Sequence, residues 1–520
     1  MRRIKLSPNH ARTFSTFQDA TSADINATME SAAEAFQIFK DAPISQVSSL
    51  LENIAIEIES LGTTLTQTAA LESSLPEPRI QGETARTTGQ LRQFAKLINE
   101  GSWVDARLDV GGGTGRDLRR MLKPLGPAVI FGASNFPLAF SVAGGDTAAA
   151  LAARCPVVHK AHPAHPLTCQ LVAKAIHRAV STVGLPAGTF QMLHGESPSV
   201  GQALVQHPIT KVGGFTGSLT AGRALYDIAT ARPIPIPFYA EMGSVNPVIL
   251  LPGALQSKWE SIATGLAGSV TMGSGQFCTN PGLVFATATA NDPTMLSKFI
   301  NQVARTVNNI PPSDMLTELI GVNYMQHLSE MEAIEGVTIA TDKYPRGPGG
   351  GVVLHVKGST FLDVKKNQIL QEEIFGPSTL IVEFDTIQEL NKGIEMLNGQ
   401  LTASVWGSSN DLSTPESQVM LSMLTERVGR ILFNGFPTGV EVCSSMVHGG
   451  PYPASSIDET SVGNEAIRRF VRPVCYQDCP DSLLPLELQD KNPIGIFRKV
   501  NDEFTRVEVN VNEFTKKQVV

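Results

Sequence analysis

A thiol, a carboxylate and a carboxamide each stand where such groups could do covalent chemistry. Cys278 lies in GSGQFCTNPG (273–282), where Gly273, Gly275 and Gly282 let the backbone approach a substrate closely. A thiol on a polar, glycine-rich loop is a candidate nucleophile, because the attacking thiolate needs access and local positive potential. A lone cysteine can equally be a small buried hydrophobe, so two readings stand. Glu241 ends the apolar run IPFYAE (236–241) and precedes MGSVNP. There it is either a general base, its pKa raised by partial burial, or a capping or salt-bridged glutamate. Asn135, in GASNFP, is either an amide donor to a developing oxyanion or a turn residue before a helix.

A second set of residues suits a phosphate-bearing ligand. Lys160 sits in HKAHPAH beside His159, His162 and His165. Pro163 and Pro166 prevent a regular helix through the three histidines, and no acidic ligand stands nearby, so no metal is expected. The cationic cluster better suits a phosphate or ribose contact. FTGS (215–218), between a strand and a helix, is a candidate pyrophosphate seat on Thr216, Gly217 and Ser218. It lacks G-x-G-x-x-G, and the motif alone says little. The run GGGTGRD (111–117) follows no clear apolar strand and leads into no helix, so a hairpin or linker is expected there. With no Gly-Lys dipeptide in the chain, a P-loop is excluded.

The elements that must position these groups follow from periodicity. Residues 22–99 read as helical, with breaks at Gly62 and at Pro76 and Pro78. From 124 onward strands alternate with helices: AVIF (128–131), PVVHK (156–160), FQML (190–193), KVGGF (211–215) and IPFYAE. In the helix after PVVHK, Leu171, Val172, Ala175, Ile176, Ala179 and Val180 share a face. This alternation argues for an α/β fold with a parallel sheet covered on both faces. Ligands of such sheets bind at the carboxyl ends of the strands, which places Asn135, Lys160, Thr216, Gly217, Ser218 and Glu241 on one rim. A second α/β region is expected over 245–450, with strands at 283–288, 351–356, 378–384 and 431–435, and VEVNVNEF (507–514) alternates like an exposed strand.

At 520 residues the chain is too long for one core. A hydrophobic fraction of 42% and a charged fraction of 17% suit a soluble globular protein. Net charge is −8 with no basic tract, so a nucleic-acid partner has no electrostatic support. The six cysteines, none in Cys-x-x-Cys spacing, do not make a disulfide framework, and a reducing cytoplasm is expected. The basic start, MRRIKLSPNH, has no apolar stretch behind it. The most apolar segment, 127–153, is broken by Pro137, Asn135 and Asp146, which suits a buried strand and helix rather than a membrane span.

Together and in this order, GASNFP, HKAHP, GGFTGS, EMGSVNP, GQFCTNPG and QEEIFGP resemble the aldehyde dehydrogenase superfamily over about 120–450. The resemblance implies two Rossmann-like parallel-sheet domains and a small β oligomerisation arm. Residues 1–103 and 125–242 would form the cofactor domain and 243–450 the catalytic domain. Residues 104–124 and 451–520 would form the arm and C-terminal extension, making a homodimer or homotetramer. It implies that Cys278 attacks an aldehyde, Asn135 and the Cys278 N–H hold the oxyanion, hydride passes to the nicotinamide, and Glu241 activates the water that hydrolyses the thioester. Lys160 and His162 would meet the adenine-side ribose, Thr216, Gly217 and Ser218 the pyrophosphate, and Glu373 and Phe375 of EEIFGP the nicotinamide end.

EMGSVNP, HGGPYPASS (448–456) and AIRRFVRPVCYQ (466–477) are similar to the branch of 2-oxoglutarate semialdehyde (2,5-dioxopentanoate) dehydrogenases and the fatty aldehyde dehydrogenase of luminous bacteria. In that branch His448 is a candidate active-site residue; otherwise it is a loop histidine beside Gly449 and Gly450. Many NAD-preferring relatives carry a glutamate three positions after the lysine, where this chain has Pro163, so NADP+ is expected to be accepted beside NAD+. A semialdehyde substrate needs a cationic anchor that the sequence does not single out. A long-chain aldehyde would need an apolar tunnel through Phe136, Phe140 and Phe436. A CoA-acylating enzyme would lack the Glu241 base. A structural protein of the same fold would not need Asn135, Glu241 and Cys278, and a nucleotide-binding regulator would not need the thiol.

Overall fold

The structure is a computed structural model that describes residues 17–111, 116–287, 292, 294–342 and 349–509. Four helices open it: α1 (Ser22–Phe39), α2 (Ile44–Ser60), α3 (Gly62–Ser73) and α4 (Glu77–Glu100). Their breaks fall where expected. Gly62 starts α3, Pro76 caps α4, and Pro78 occupies the first turn of α4, where a missing N–H costs nothing. The chain then enters an antiparallel hairpin of β1 (Arg107–Asp109) and β2 (Leu118–Pro124). The hairpin expected around the glycine run is therefore present, though residues 112–115 lie outside the described set.

The first parallel sheet follows as β3 (Ala128–Phe131), β4 (Val157–Lys160), β5 (Phe190–Leu193), β6 (Val212–Thr216) and β7 (Phe238–Glu241), in spatial order β5-β4-β3-β6-β7. Helices α5 (Gly145–Ala152), α6 (Pro166–Thr182), α7 (Pro198–Gln206) and α8 (Leu219–Ala231) connect the strands. The segment 127–153 is thus a buried strand and helix, and no described helix is long and apolar enough to cross a membrane. On α6, Val172, Ala175, Ile176, Ala179 and Val180 are buried, whereas Leu171 stays partly exposed at the edge of that face. Register puts Phe131 beside Lys160 and Phe215, and Thr216 beside Glu241, so one row across the strand ends carries Lys160, Thr216 and Glu241.

The second sheet has seven strands in the order β10-β11-β12-β9-β8-β13-β14. They are β8 (Val248–Leu250), β9 (Leu283–Thr287), β10 (Thr338–Ile339), β11 (Val352–Lys357), β12 (Ser378–Phe384), β13 (Gln400–Trp406) and β14 (Val428–Phe433). All pair in parallel except the edge strand β10. β9, β11, β12 and β14 meet the sequence expectations, while β8, β10 and β13 lie outside them. β13 reads as polar in Gln400, Thr402 and Ser404, yet these residues are buried; Gln400 accepts from Ser244 Oγ and the Val245 N–H, and Thr402 donates to Asn246. Helix α9 (Pro252–Thr271) leads to the cysteine loop. A third sheet joins β1 and β2 to β15 (Val471–Gln477), β16 (Arg498–Val500) and β17 (Glu503–Thr505). The exposed strand expected at 507–514 is corrected: strand ends at Thr505, residues 507–509 have no strand pairing, and 510–514 lie outside the described residues.

Candidate active site

Cys278 is held by its neighbours' backbone. Gly275 has φ +65°, and a Cβ there would meet the Gly376 carbonyl oxygen at 2.2 Å, so only glycine lets the QEEIFGP loop pack on the cysteine loop. Gly282 is different. A Cβ there would find only ordinary contacts from 3.6 Å, so the close approach expected of it is not required. Asn246 of EMGSVNP, fully buried, donates through Nδ2 to the carbonyl oxygens of Cys278 (2.8 Å) and Asn280 (2.9 Å) and so clamps the loop at and just after the thiol-bearing residue. Asn135 Nδ2 donates to the Gln276 carbonyl at 3.0 Å. One hydrogen of that amide ties the loop down; the other remains for a ligand.

His448, buried, brings its Nε2 to 3.5 Å from Cys278 Sγ and 3.0 Å from Glu241 Oε1. The donor atoms of Glu241, Cys278 and His448 lie within 4.8 Å of one another, the only such set of metal-type donors among the described residues. Ser461 Oγ donates to Glu241 Oε2 at 2.9 Å, and the Ser461 N–H and the Thr460 hydroxyl hold the backbone of His448. Both His448 contacts fall on one ring nitrogen, while Nδ1 is buried without a partner. Nε2 is therefore the ring nitrogen turned toward both the carboxylate and the thiol.

The protonation states differ from expectation. Burial pushes the Glu241 carboxyl up, as the sequence suggested, but His448, the Ser461 hydroxyl and the charge of Arg469 outweigh it, and the pKa ends below the ordinary value. The Cys278 thiol is pushed well up by burial, by the Glu241 carboxylate and by Glu373, against the pull of Arg86. The resting pair is a thiol beside a carboxylate, so the natural acceptor for the thiol proton is Glu241.

Around this centre the remaining candidates divide. Lys160 and Thr216 end β4 and β6, Gly217 donates its N–H to the Glu241 carbonyl, and Ser218 caps α8 by accepting from the Ala221 N–H. Gly217 and Ser218 are exposed, leaving the start of α8 open to an anion. His162 does not supply the expected positive charge. Burial holds its pKa well below the ordinary value, and Nδ1 accepts from the Ala164 N–H. His165 binds Cys169 Sγ (3.2 Å) and the Ala133 carbonyl (3.0 Å), and its pKa rises to about 9. Among the described residues the three histidines converge on no acidic ligand. Glu373 and Phe375 line a cavity with Ser244 and Phe277 that borders the cysteine loop. Burial and the Glu241 charge raise Glu373 to about 8, although the Ser244 N–H reaches its carboxylate.

The aldehyde dehydrogenase family profile matches residues 3–473. The chain is 45% identical to alpha-ketoglutaric semialdehyde dehydrogenase 2 of Azospirillum brasilense, covering 93% of this chain and 92% of that one. It is 43% identical to the alpha-ketoglutaric semialdehyde dehydrogenase of Acinetobacter baylyi, covering 94% and 93%. The chain belongs to the aldehyde dehydrogenase family. It is an aldehyde dehydrogenase enzyme of a family that works with NAD(P). Its fold matches 1-pyrroline-5-carboxylate dehydrogenase from Thermus with bound NAD (TM-score 0.74, 21% identity, 88% and 86% covered). It also matches betaine aldehyde dehydrogenase from Staphylococcus aureus in complex with NAD+ (TM-score 0.74, 19% identity, 88% of each chain).

The structure brings Cys278, Glu241 and His448 together and ties Asn135 to the cysteine loop, while the residues that hold them were not legible in the sequence. Asn246 stands in EMGSVNP, where its residue type alone gives no sign that it clamps the cysteine loop. Ser461 and Thr460 sit in an unremarkable loop and meet Glu241 and His448 only through the fold. Arg79 and Arg86 are two of several arginines on a surface-patterned helix, and nothing local marks them.

Proposed function

We propose that this aldehyde dehydrogenase oxidises 2-oxoglutarate semialdehyde (2,5-dioxopentanoate) to 2-oxoglutarate, with Cys278 as nucleophile and Glu241 as base. The observation that carries the chemistry is the Cys278–His448–Glu241 cluster, in which the two ring contacts share Nε2. Glu241 takes the thiol proton as Sγ bonds to the aldehyde carbon. The Cys278 N–H and the free hydrogen of the Asn135 amide meet the resulting oxygen. The residues fit a dinucleotide. The open start of α8 suits a pyrophosphate, Lys160 a ribose, and a Cβ on Gly243 would fall 2.6 Å from Glu373 Oε2, so glycine keeps space beside that carboxyl. The bound dinucleotide supplies the hydride acceptor. Glu241, ionised again, then takes a proton from the water that releases the carboxylic acid.

The substrate follows from the two semialdehyde dehydrogenases that match nearly the whole chain. The long-chain alternative is less well served. Phe136 and Phe140 carry guanidinium groups over their rings, and Phe436 packs on Trp406 with centroids 4.9 Å apart. A CoA-acylating enzyme would have no use for an ionised Glu241. We also propose that NADP+ is accepted beside NAD+. Pro163 offers no carboxylate to a 2′-phosphate, and Lys160 rather than the neutral His162 would supply the charge. The proposed cofactor unit is 1–103 with 125–242, the catalytic unit 243–450, and the third sheet the arm of a homodimer or homotetramer.

The test is NADH and NADPH formation with 2,5-dioxopentanoate and with decanal, beside Cys278→Ala. Turnover of the semialdehyde that vanishes in the variant is expected. Preference for decanal refutes the substrate, and activity with NAD+ alone refutes the cofactor proposal.

A further inference from the structure

An aldehyde that also carries a carboxylate brings a full negative charge into a site already holding ionised Glu241. Something must pay for that desolvation. Three guanidinium groups act electrostatically on Cys278 or Glu241: Arg86, Arg430 and Arg469. Two are committed. Arg430 donates to the carbonyl oxygens of Gly439 (3.2 Å) and Pro437 (2.8 Å) and so braces a loop. Arg469 pairs with Asp146 at 2.9 Å and reaches the Glu459 carbonyl.

Arg86 is different. Its Nη1 is buried and has no hydrogen-bond partner among the described residues. Its guanidinium carbon lies 5.0 Å from the centre of the Phe140 ring, which is itself 6.0 Å from the His448 ring. Helix α4 carries Arg79 two turns earlier on the same face, its guanidinium over Phe136 (4.9 Å) and Phe277 (4.5 Å), next to the nucleophile in sequence. Arg79 is partly used, since Nη2 donates to the Asn135 carbonyl at 3.0 Å. Between them Glu83 spends one carboxylate oxygen on the N–H groups of Leu138 and Ala139, fixing the aromatic segment against α4. Aromatic rings keep the arginine stems dry and oriented while leaving cationic edges free.

We propose that Arg86 is the substrate-specificity residue of this site, binding the carboxylate at the far end of the aldehyde substrate while Arg79 adds positive potential beside it. This rests on the semialdehyde reading above. A role confined to lowering the Cys278 pKa would affect every aldehyde alike, whereas an anchor acts only on the charged one.

The full-length enzyme, Arg86→Gln and Arg86→Lys are compared on 2,5-dioxopentanoate and on pentanal, an uncharged aldehyde of the same chain length. A charge-assisted contact predicts that the ratio of the two kcat/KM values falls roughly 10- to 150-fold in the glutamine variant, mainly through KM, with lysine in between. An unchanged ratio overturns the proposal. If the wild-type enzyme does not oxidise the semialdehyde, that reading fails by itself. The anchor is then judged by 2-oxoglutarate as an inhibitor of pentanal oxidation. Inhibition of wild type that is lost in Arg86→Gln supports it; no inhibition, or equal inhibition of both, overturns it.

Discussion

Removing the Ser461 hydroxyl tests how Glu241 is kept ionised in a buried site. Its Oγ lies 2.9 Å from Glu241 Oε2 and 3.1 Å from the His448 carbonyl, so one hydrogen serves two acceptors. A full hydrogen bond to a carboxylate contributes about 1.5–3 kcal/mol. Halved for sharing, that is roughly 0.8–1.5 kcal/mol, close to one pKa unit at about 1.36 kcal/mol each. Ser461→Ala should therefore raise the Glu241 pKa by about one unit, His448 still opposing burial. If the base is needed to hydrolyse the thioester, the acid limb of kcat moves up by the same amount. Below that limb thiol deprotonation and thioester hydrolysis both slow, so the rate of the pre-steady-state burst of reduced cofactor falls together with kcat. The assay is stopped-flow absorbance of the reduced cofactor from pH 4.5 to 9. An unmoved limb, or a uniform loss at every pH, would show that Ser461 does not set the Glu241 charge.

Other changes separate positioning from chemistry. Asn135→Ala removes both the oxyanion donor and the tie to Gln276, and kcat should fall about 10²–10³-fold while dinucleotide binding measured by fluorescence stays near wild type. Glu373 offers a stability test. Its folded pKa of about 8 exceeds the ordinary 4.5, so the stability it lends is complete below 4.5 and is lost as pH rises through about 8. Between pH 6 and 9 that amounts to roughly 2–3 kcal/mol, and thermal melts of Glu373→Gln should lose correspondingly less over that range; parallel curves would refute the buried, protonated carboxyl. If the third sheet is the assembly arm, Cys475→Arg on its edge strand β15 should lower the mass seen by light scattering, and an unchanged mass would clear that edge of the role.

The legibility of this chain followed the range of each interaction. The first sheet could be read strand by strand, because parallel strands buried on both faces leave short apolar runs such as AVIF. β13 escaped because Gln400 and Thr402 spend their polarity on Ser244, Val245 and Asn246, partners more than 150 positions away in sequence. Glu241, Cys278, Asn135 and His448 were legible as chemically apt residues in recognisable strings. Their protonation states were not, since Ser461, Arg86 and Glu373 reach them only through the fold. His162 shows the same limit from the other side: a histidine beside a lysine reads as cationic, and burial makes it neutral.

The central claim is that Cys278 carries the acyl group and Glu241 the water that removes it. Glu241→Gln mixed with 2,5-dioxopentanoate and oxidised cofactor, quenched in acid and digested for mass spectrometry, tests it directly. At a pH high enough for the Cys278 thiolate to form without Glu241, whose charge no longer raises its pKa, close to one equivalent of reduced cofactor per subunit is expected, formed slowly, with little further turnover and a 2-oxoglutaryl thioester on the Cys278 peptide. Sustained turnover in that variant, or an adduct on any other residue, would contradict it.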